Sequence, residues 1–304
     1  MKSSILIITY NRPKEFKKLF SAVKKFQDRK IFIFQDGKSN FDKKWEKQNL
    51  ILKKIKNKKN IIIKFSKKKH GCKIGVTKAI NWFFNHNKEG IILEDDCIPS
   101  KTFFMYCDEL LEKYRYKDII KLISGYNFYK NIYTRESYFF SKHVEVWGWA
   151  TWSRVWKKFN LNMKNWKKSG NEVISERFKN NPNLSNYYFA AFNSTFQKKI
   201  DTWDHQFVYY VWKSKGLTIS PSVNLVRNIG FNKNATHTKL KNIYLELRAK
   251  EMKFPIIHPK KVKENEYLTN KLDRYLERKI FNLQNKRQKL KDYVITILKK
   301  IRIK

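Results

Sequence analysis

Cysteines, acidic residues and long apolar runs are all scarce in this sequence, and each scarcity argues against a class of protein. Three cysteines, Cys72, Cys97 and Cys107, occur in 304 residues, without a CxxC pair or a metal-ligand spacing. This pattern argues against a disulfide framework or a zinc site and indicates reduced thiols in a cytosolic protein. No apolar run approaches the length of a membrane span, and no secretory signal peptide precedes the first predicted strand. We therefore expect a cytoplasmic protein, either soluble or peripheral at the inner face of the membrane.

The shortage of acidic residues gives the chain an extreme charge. It has 67 Lys and Arg against 26 Asp and Glu, for a formal net charge of +41. Such a field attracts polyanions, including nucleic acids, anionic lipids and phosphorylated substrates. The basic residues are mostly lysines spread along the chain, and we find no recognition helix, zinc finger or aromatic RNA-binding motif. We therefore expect no specific nucleic-acid partner.

Strands and helices alternate in the first hundred residues. Short apolar runs predict four strands, and apolar residues at helical spacing lie between them. Repeated units of this kind predict an α/β fold, a mixed and mostly parallel sheet flanked by helices. The predicted strands are Ser4–Thr9, Ile31–Phe34, Ile61–Phe65 and Ile91–Leu93, and a later strand-like stretch covers Leu217–Leu225.

Charged residues follow the ends of three predicted strands. Arg12 follows the first strand, Asp36 follows the second, and Glu94, Asp95 and Asp96 follow the fourth. Ligands of such sheets bind beyond the carboxyl ends of the strands. Three adjacent carboxylates repel one another and need a cation or strong hydrogen bonds, and Mg²⁺ or Mn²⁺ takes such oxygen ligands. The alternative is an acidic turn that ends a strand in solvent.

Asp204 is a second candidate, because it follows Trp203 and precedes a helical pattern. Its structural role would be an N-cap that accepts backbone N–H bonds, and its functional role would be a general base for an acceptor hydroxyl. Asp201 is a nearby competitor for either role.

Several other residues admit two interpretations. The tryptophans Trp147, Trp149, Trp152 and Trp203 belong either to the core or to a surface that stacks on sugar rings. His237 lies in a polar loop, where it is either solvated or an additional metal or phosphate contact.

The order of these motifs resembles the GT-A glycosyltransferases. It is similar to the Golgi N-acetylglucosaminyltransferases that start N-glycan branching, and to bacterial haemolysin-like proteins of that superfamily. The resemblance covers roughly residues 4–232. It is carried by Tyr10-Asn11-Arg12-Pro13, Gln35-Asp36-Gly37, Lys73-Ile74, Glu94-Asp95-Asp96 with Pro99 and Phe103-Phe104, Gly148-Trp149 and Trp203-Asp204.

The resemblance implies a metal-dependent transfer of a sugar from a nucleoside-diphosphate donor, with UDP as the expected carrier, to a glycan or lipid-linked acceptor with inversion. Asp96 would be the ligand of Mn²⁺ or Mg²⁺, and Asp204 would be the catalytic base. Trp149 and Trp203 are the candidates for sugar stacking. The donor-binding residues would be Tyr10, Arg12, Asp36, Glu94 and Asp95, with Lys73 and Arg227 as further diphosphate contacts.

The expected domain organisation is a catalytic domain over residues 1–237 and a basic extension over 238–304. The domain divides into a nucleotide-binding half, 1–110, and an acceptor half, 111–237. The extension ends in an amphipathic, Lys-rich helix over 283–304, which would either bind an anionic membrane surface or dock on the domain. The Golgi enzymes carry a membrane anchor and a stem that this sequence lacks, and the extension has no counterpart that we can place.

Two other functions stay open at this point. A metal-dependent nucleotidyltransferase also uses an α/β sheet with acidic residues, but the loop Tyr10–Pro13 lacks the glycines of a phosphate loop. A non-enzymatic basic protein would bind nucleic acid or anionic membrane, with the carboxylates in structural roles.

Overall fold

The computed structural model describes residues 2–26, 28–128, 132, 134–230 and 247–281. These residues form an α/β fold around an eight-stranded mixed sheet flanked by helices, as the sequence predicts. The strand order is β3-β2-β1-β4-β8-β6-β9-β7. Within the described ranges, no helix combines the length and apolar character needed to cross a bilayer.

The first four strands are parallel and follow the predicted pattern. Each helix and strand in this half buries apolar residues, fully or partly, against its neighbours, which stabilises the element. In α1, Pro13 occupies the first turn, where a backbone N–H is not needed, and Phe16, Leu19 and Val23 face the sheet. The elements are β1 (Ile5–Thr9), α1 (Pro13–Val23), β2 (Ile31–Gln35), α2 (Lys43–Ile55), β3 (Ile61–Phe65), α3 (Gly71–Phe84) and β4 (Glu89–Glu94).

The second half of the sheet is mixed. Strand β8 runs antiparallel to both β4 and β6, which joins the two halves, and β7 forms the edge beyond β9. The remaining elements are β5 (Cys97–Pro99), α4 (Lys101–Lys113), β6 (Ile120–Ser124), β7 (Tyr138–Ser141), β8 (Trp149–Trp152), α5 (Ser153–Trp156), α6 (Trp166–Arg177), α7 (Pro182–Phe196), α8 (Asp204–Lys213), β9 (Leu217–Pro221) and β10 (Val226–Asn228).

The stretch predicted as one strand over Leu217–Leu225 differs in the structure. Strand β9 ends at Pro221, which has no backbone N–H to continue the ladder. The chain then turns and enters β10, which pairs antiparallel with β5 in a separate two-stranded sheet. This small sheet lies directly after the acidic run, and the Ile229 amide donates to the Asp96 carbonyl at 2.8 Å.

Residues 247–281, which belong to the basic extension predicted over 238–304, pack against the main domain. The Glu251 carboxylate accepts hydrogen bonds from the amides of Lys101 and Thr102, at 3.1 and 2.8 Å, and so caps α4. A final helix, α9, covers 266–281, and its residues Leu268, Leu272 and Leu276 are buried. His237 and the amphipathic helix predicted over 283–304 lie outside the described residues.

A buried ion network fixes α9 to α6. Asp273 accepts two hydrogen bonds from the Arg177 guanidinium, both at 2.8 Å, and its Oδ1 lies 3.0 Å from His143 Nε2. Burial alone would raise the pKa of Asp273, but the hydrogen bonds and charges of His143 and Arg177 lower it below its ordinary value of 3.8. The ionised carboxylate therefore stabilises the folded state.

The substitution Asp273→Asn should lower the free energy of unfolding by about 3 kcal/mol at pH 7, because it leaves the buried Arg177 without its anion. Since the pKa of Asp273 is lower in the folded than in the unfolded state, this stabilisation is present above about pH 4 and is lost as the pH falls through the folded-state value. The difference between the two proteins should therefore shrink in acid. Urea denaturation at several pH values measures it.

Asp118→Asn is the control, because the Asp118 side chain is 75% exposed and lies 3.3 Å from Arg154. That exposed pair should contribute little. Equal losses in the two variants at pH 7 would contradict the role of Asp273.

Candidate active-site cleft

A cleft of about 530 Å³ opens where β1, β2 and β4 end and α8 begins. It brings together residues from distant parts of the chain, including the acidic run and Asp204. Its polar and aromatic lining includes Thr9, Tyr10, Arg12, Asp36, Lys69, Cys72, Glu94, Asp95, Asp96, Trp147, Thr202, Trp203, Asp204 and Asn228.

Arg12 and the acidic run form one electrostatic unit. The Arg12 guanidinium contacts Asp96 Oδ2 through Nη1, and the same nitrogen lies 3.4 Å from Asp95 Oδ1. Asp95 Oδ2 also accepts hydrogen bonds from the Thr9 hydroxyl at 2.8 Å and the Tyr10 amide at 3.3 Å. The loop after β1 is therefore bound to the turn after β4 by charge and by hydrogen bonds.

The negative charge of the carboxylates in this run exceeds the positive charge of Arg12, which contacts them. Burial raises the pKa of Glu94, the charges of Asp96 and Asp95 raise it further, and Arg12 opposes them. Burial also raises the pKa of Asp95, where Arg12 acts in the opposite direction. Burial would lower the pKa of Arg12, but Asp95 and Asp96 raise it overall. The site therefore favours an additional cation or a bound proton.

A glycine permits the close approach of the β10 segment to Asp96. A Cβ atom on Gly230 would lie 2.1 Å from Asp96 Oδ2, so a larger residue could not occupy this position without displacing the carboxylate. Asn228 Oδ1 accepts the Gly230 amide at 2.7 Å, and the same Cβ atom would lie 3.1 Å from this oxygen, so Asp96 and Asn228 both present oxygen atoms next to Gly230. Across the part of the chain that the structure describes, no three His, Cys, Asp or Glu side chains are grouped closely enough to hold a metal by themselves.

Asp36 lines the cleft, but its carboxylate is engaged by the backbone. Oδ1 accepts the Gly37 amide at 2.9 Å, and Oδ2 accepts the amides of His70 and Gly71, both at 3.0 Å. These bonds attach the loop before α3 to the end of β2 and satisfy the first amides of that helix. Asp36 thus shapes this wall of the cleft.

The lysine that borders the cleft is Lys69. Its ammonium lies 5.0 Å from the centroid of the Tyr10 ring, and the Tyr10 hydroxyl is 2.7 Å from the Ser39 hydroxyl. Lys73 is the third residue of α3 and does not line the cleft, and Arg227 is exposed on β10. The role of Lys73 and Arg227 as diphosphate contacts stays a prediction.

Asp204 is the first residue of α8, whereas Trp203 occupies the N-cap position. The Asp204 Oδ1 atom accepts hydrogen bonds from the Thr202 hydroxyl and from the adjacent His205 amide, the latter at 2.8 Å. Among the described residues, no hydrogen bond reaches Oδ2. Asp201, the alternative candidate, is exposed and does not line the cleft.

Glu145 is a site residue that sequence reasoning missed. It is partly buried in the segment between β7 and β8, next to Val146 and Trp147, which line the cleft. Burial and then the charge of Asp204 raise the pKa of Glu145 from 4.5 to about 8. No local pattern marks this glutamate, because its character depends on burial beside a residue much later in the chain.

The structure corrects the prediction that Trp149 stacks on a sugar. Trp149 is 1% exposed and packs against Trp203, with ring centroids 5.7 Å apart and planes 21° from parallel. Trp203 is 2% exposed and lines the cleft. Both rings belong to an aromatic cluster with Trp156 and Phe207, so their faces are covered by protein. Trp147 is the less buried tryptophan at the cleft.

Comparisons with known proteins give structural likeness at low identity. No protein-family model and no curated protein matches the chain. Residues 1–349 of S. aureus TarS match with 13% identity and a TM-score of 0.38, over 52% of this chain and 48% of that one. The glycosyltransferase GlyE of Streptococcus pneumoniae TIGR4 matches with 7% identity and a TM-score of 0.31, over 71% and 45%. The 4-diphosphocytidyl-2C-methyl-D-erythritol synthase of Anaerococcus prevotii DSM 20548 matches with 9% identity and a TM-score of 0.34, over 52% and 77%.

The substitution Glu145→Gln should make the protein more stable above about pH 8, by at least about 1 kcal/mol, with little change near pH 5. The pKa of Glu145 is raised on folding, so the folded state binds the extra proton and the wild type loses stability as the pH rises from its ordinary pKa toward 8. Glutamine carries no charge and removes this loss. Denaturant unfolding of both proteins at pH 5, 7 and 9, with a chelator present, measures this difference in the free energy of unfolding.

Glu172→Gln is the matched control, because Glu172 is exposed on α6. A pH dependence of unfolding that is the same in wild type and in Glu145→Gln would show that Glu145 does not hold its proton.

Proposed function

We propose that this chain is a nucleotide-sugar-dependent glycosyltransferase that binds its donor beside the acidic run and its acceptor beside Asp204. The observation that supports this most directly is the single cleft shared by Arg12, Asp96 and Asp204. The cleft contains the strand-end loops typical of nucleotide sites together with the Asp204 carboxylate, whose Oδ2 accepts no hydrogen bond from the described residues.

The donor would lie across the ends of β1, β2 and β4. Tyr10 and the Asp36-anchored loop flank the position of the nucleotide, for which uridine is the expected base. Arg12 and Lys69 both line the cleft and would supply positive charge for a diphosphate. Glu94 and Asp95 lie next to where ribose and sugar hydroxyls would bind.

The candidate metal ligands at this site have the chemistry that Mg²⁺ or Mn²⁺ prefers. Asp96 and the Asn228 amide oxygen are hard ligands close to each other, and the acidic run has more carboxylates than Arg12 alone neutralises. A divalent ion here would neutralise the charge of the departing diphosphate. Because a metal ion of this kind takes most of its ligands from phosphate and water, one or two protein ligands suffice.

Asp204 would act as the general base in an inverting transfer. Its Oδ1 is fixed by Thr202 and His205, which leaves Oδ2 to accept the proton of an acceptor hydroxyl. The acceptor oxygen then forms a bond to the anomeric carbon as the bond from that carbon to the diphosphate breaks. Glu145 holds its proton at neutral pH, so it places no second negative charge beside this base.

With a panel of nucleotide sugars and either Mn²⁺ or Mg²⁺, the wild type should release nucleoside diphosphate from at least one donor, with water as acceptor. Asp204→Asn should lower this rate about 100-fold or more while donor affinity is unchanged, since only the base is lost. Asp96→Asn should weaken donor binding instead. Chromatography of released nucleotides and calorimetric donor binding measure the two effects.

Asp201→Asn is the control for Asp204, because it is three residues away and outside the cleft. A rate unchanged in Asp204→Asn would remove that residue from the mechanism. Release of pyrophosphate from a nucleoside triphosphate and a sugar phosphate, without cleavage of any nucleotide sugar, would instead identify a nucleotidyltransferase.

A divalent ion and Arg12 should compete for Asp96, because the guanidinium contacts the carboxylate oxygen that an ion would use. Arg12→Gln should therefore tighten the binding of Mn²⁺ alone about tenfold, which corresponds to about 1.4 kcal/mol. Asp96→Asn should weaken it. Electron paramagnetic resonance of free Mn²⁺ gives the affinities without any catalytic readout.

Arg154→Gln is the control, since Arg154 pairs with the exposed Asp118 away from the cleft. Equal or weaker Mn²⁺ binding in Arg12→Gln would place the ion elsewhere or exclude it from Asp96.

A further inference from the structure

The outer edge of the sheet is covered by a segment that follows the main domain. Strand β7 is the last strand in the sheet, and residues 257–265 run along its free side. The Ser137 amide donates to the Ile257 carbonyl at 2.9 Å, and the Asn265 amide donates to the Phe140 carbonyl at 2.8 Å. Glu264 forms a parallel bridge with Phe140. The segment is therefore attached at two points along the strand.

Between these attachments the segment is longer than the strand it covers. From Ser137 to Phe140 the strand advances about 10 Å, at about 3.3 Å per residue. The covering chain takes the seven steps from Ile257 to Glu264 over the same distance. The excess residues cannot lie flat along the edge, and accordingly residues 260–263 are all exposed. We call residues 257–267, which include the first two residues of α9, the edge loop.

The edge loop presents apolar side chains among lysines. Ile257, Val262 and Tyr267 are 56%, 36% and 66% exposed. Lys260, Lys261 and Lys263 are exposed between them. The edge loop also contains two glutamates, Glu264, which is paired with Lys142 at 2.9 Å, and the exposed Glu266, so its lysines outnumber its acidic residues. Interleaved apolar and basic side chains are the composition of surfaces that lie in the interface of anionic membranes.

The base of the edge loop is firmly held. The His258 ring bonds the Tyr138 hydroxyl through Nδ1 at 2.8 Å, and its Nε2 lies 3.1 Å from Glu109. The Ile257 amide donates to the Ser137 hydroxyl at 3.0 Å. A loop that is already ordered loses little conformational entropy on binding, which favours its use as a docking surface.

We propose that the edge loop docks this protein on the surface of an anionic lipid bilayer. Ile257, Val262 and Tyr267 enter the interface, and the three lysines contact lipid phosphates. A nucleic acid would use the lysines but gains nothing from the exposed aliphatic side chains, so the bilayer is the partner that uses both sets. The surface belongs to the acceptor half of the sheet, opposite the edge formed by β3.

Flotation of the full chain with lipid vesicles tests the proposal. The wild type should bind vesicles of phosphatidylglycerol and phosphatidylcholine, bind pure phosphatidylcholine weakly, and dissociate as salt rises. The triple variant Ile257→Ser, Val262→Ser, Tyr267→Ser should bind the anionic vesicles at least about tenfold more weakly. Its matched control is Leu50→Ser, Tyr116→Ser, Ile119→Ser, three residues that are 59%, 88% and 44% exposed elsewhere.

A second pair of variants separates the edge loop from the overall charge. Lys260→Gln, Lys261→Gln, Lys263→Gln should weaken vesicle binding about tenfold or more. Lys53→Gln, Lys54→Gln, Lys58→Gln removes the same charge from exposed positions in and just after α2 and should change binding much less. Thermal unfolding confirms that each variant is folded, and the assay does not depend on any catalytic activity.

Three outcomes would overturn the proposal. The first is a wild type that does not bind anionic vesicles. The second is vesicle binding that survives in both edge-loop variants, which would assign it to residues elsewhere, such as 282–304. The third is that the lysine variant binds both anionic vesicles and a duplex oligonucleotide more weakly, while the apolar variant binds both as tightly as the wild type. The surface would then be a general polyanion site.

Discussion

Three consecutive carboxylates at the end of β4 impose the constraint on which the cleft depends. Burial, and then their mutual repulsion, raises the pKa of Glu94 and of Asp95, and the guanidinium of Arg12 is the cation that opposes this. Because Arg12 comes from the loop after β1, the same ion pairs that hold the carboxylates also fix the position of that loop. Charge compensation thus determines the shape of the site as well as its potential.

The residues around this ion-pair network also help to fix the shape of the cleft. Asp36 uses its carboxylate to hold the loop before α3, and Gly230 leaves room for Asp96 where the chain returns from β10. Arg12, Lys69 and Asp204 line the same cleft, and among the described residues no hydrogen bond reaches Asp204 Oδ2.

The sequence predicts the sheet well because its signals are local. Apolar runs of about five residues, turn residues after them and helical spacing between them specify β1 to β4 without reference to the rest of the chain. The convergence of Arg12 and Asp96 also follows, since parallel strands end at one edge. Lys69 and Glu145 could not be predicted, because one depends on the path of a loop and the other on burial beside Asp204. For Trp149 the sequence left the core and sugar-stacking interpretations open, because motif position does not show which ring faces are covered.

The segment after residue 247 illustrates how a basic sequence can serve as part of a fold. Glu251 supplies the cap that α4 lacks in its own sequence, and residues 257–265 pair with the free side of β7. A chain shortened to its first 237 residues would leave Tyr138, Phe139 and Phe140 on an uncovered strand edge. Such an edge is a template for pairing with another molecule, so the shortened protein would self-associate through β7 rather than remain a smaller monomer.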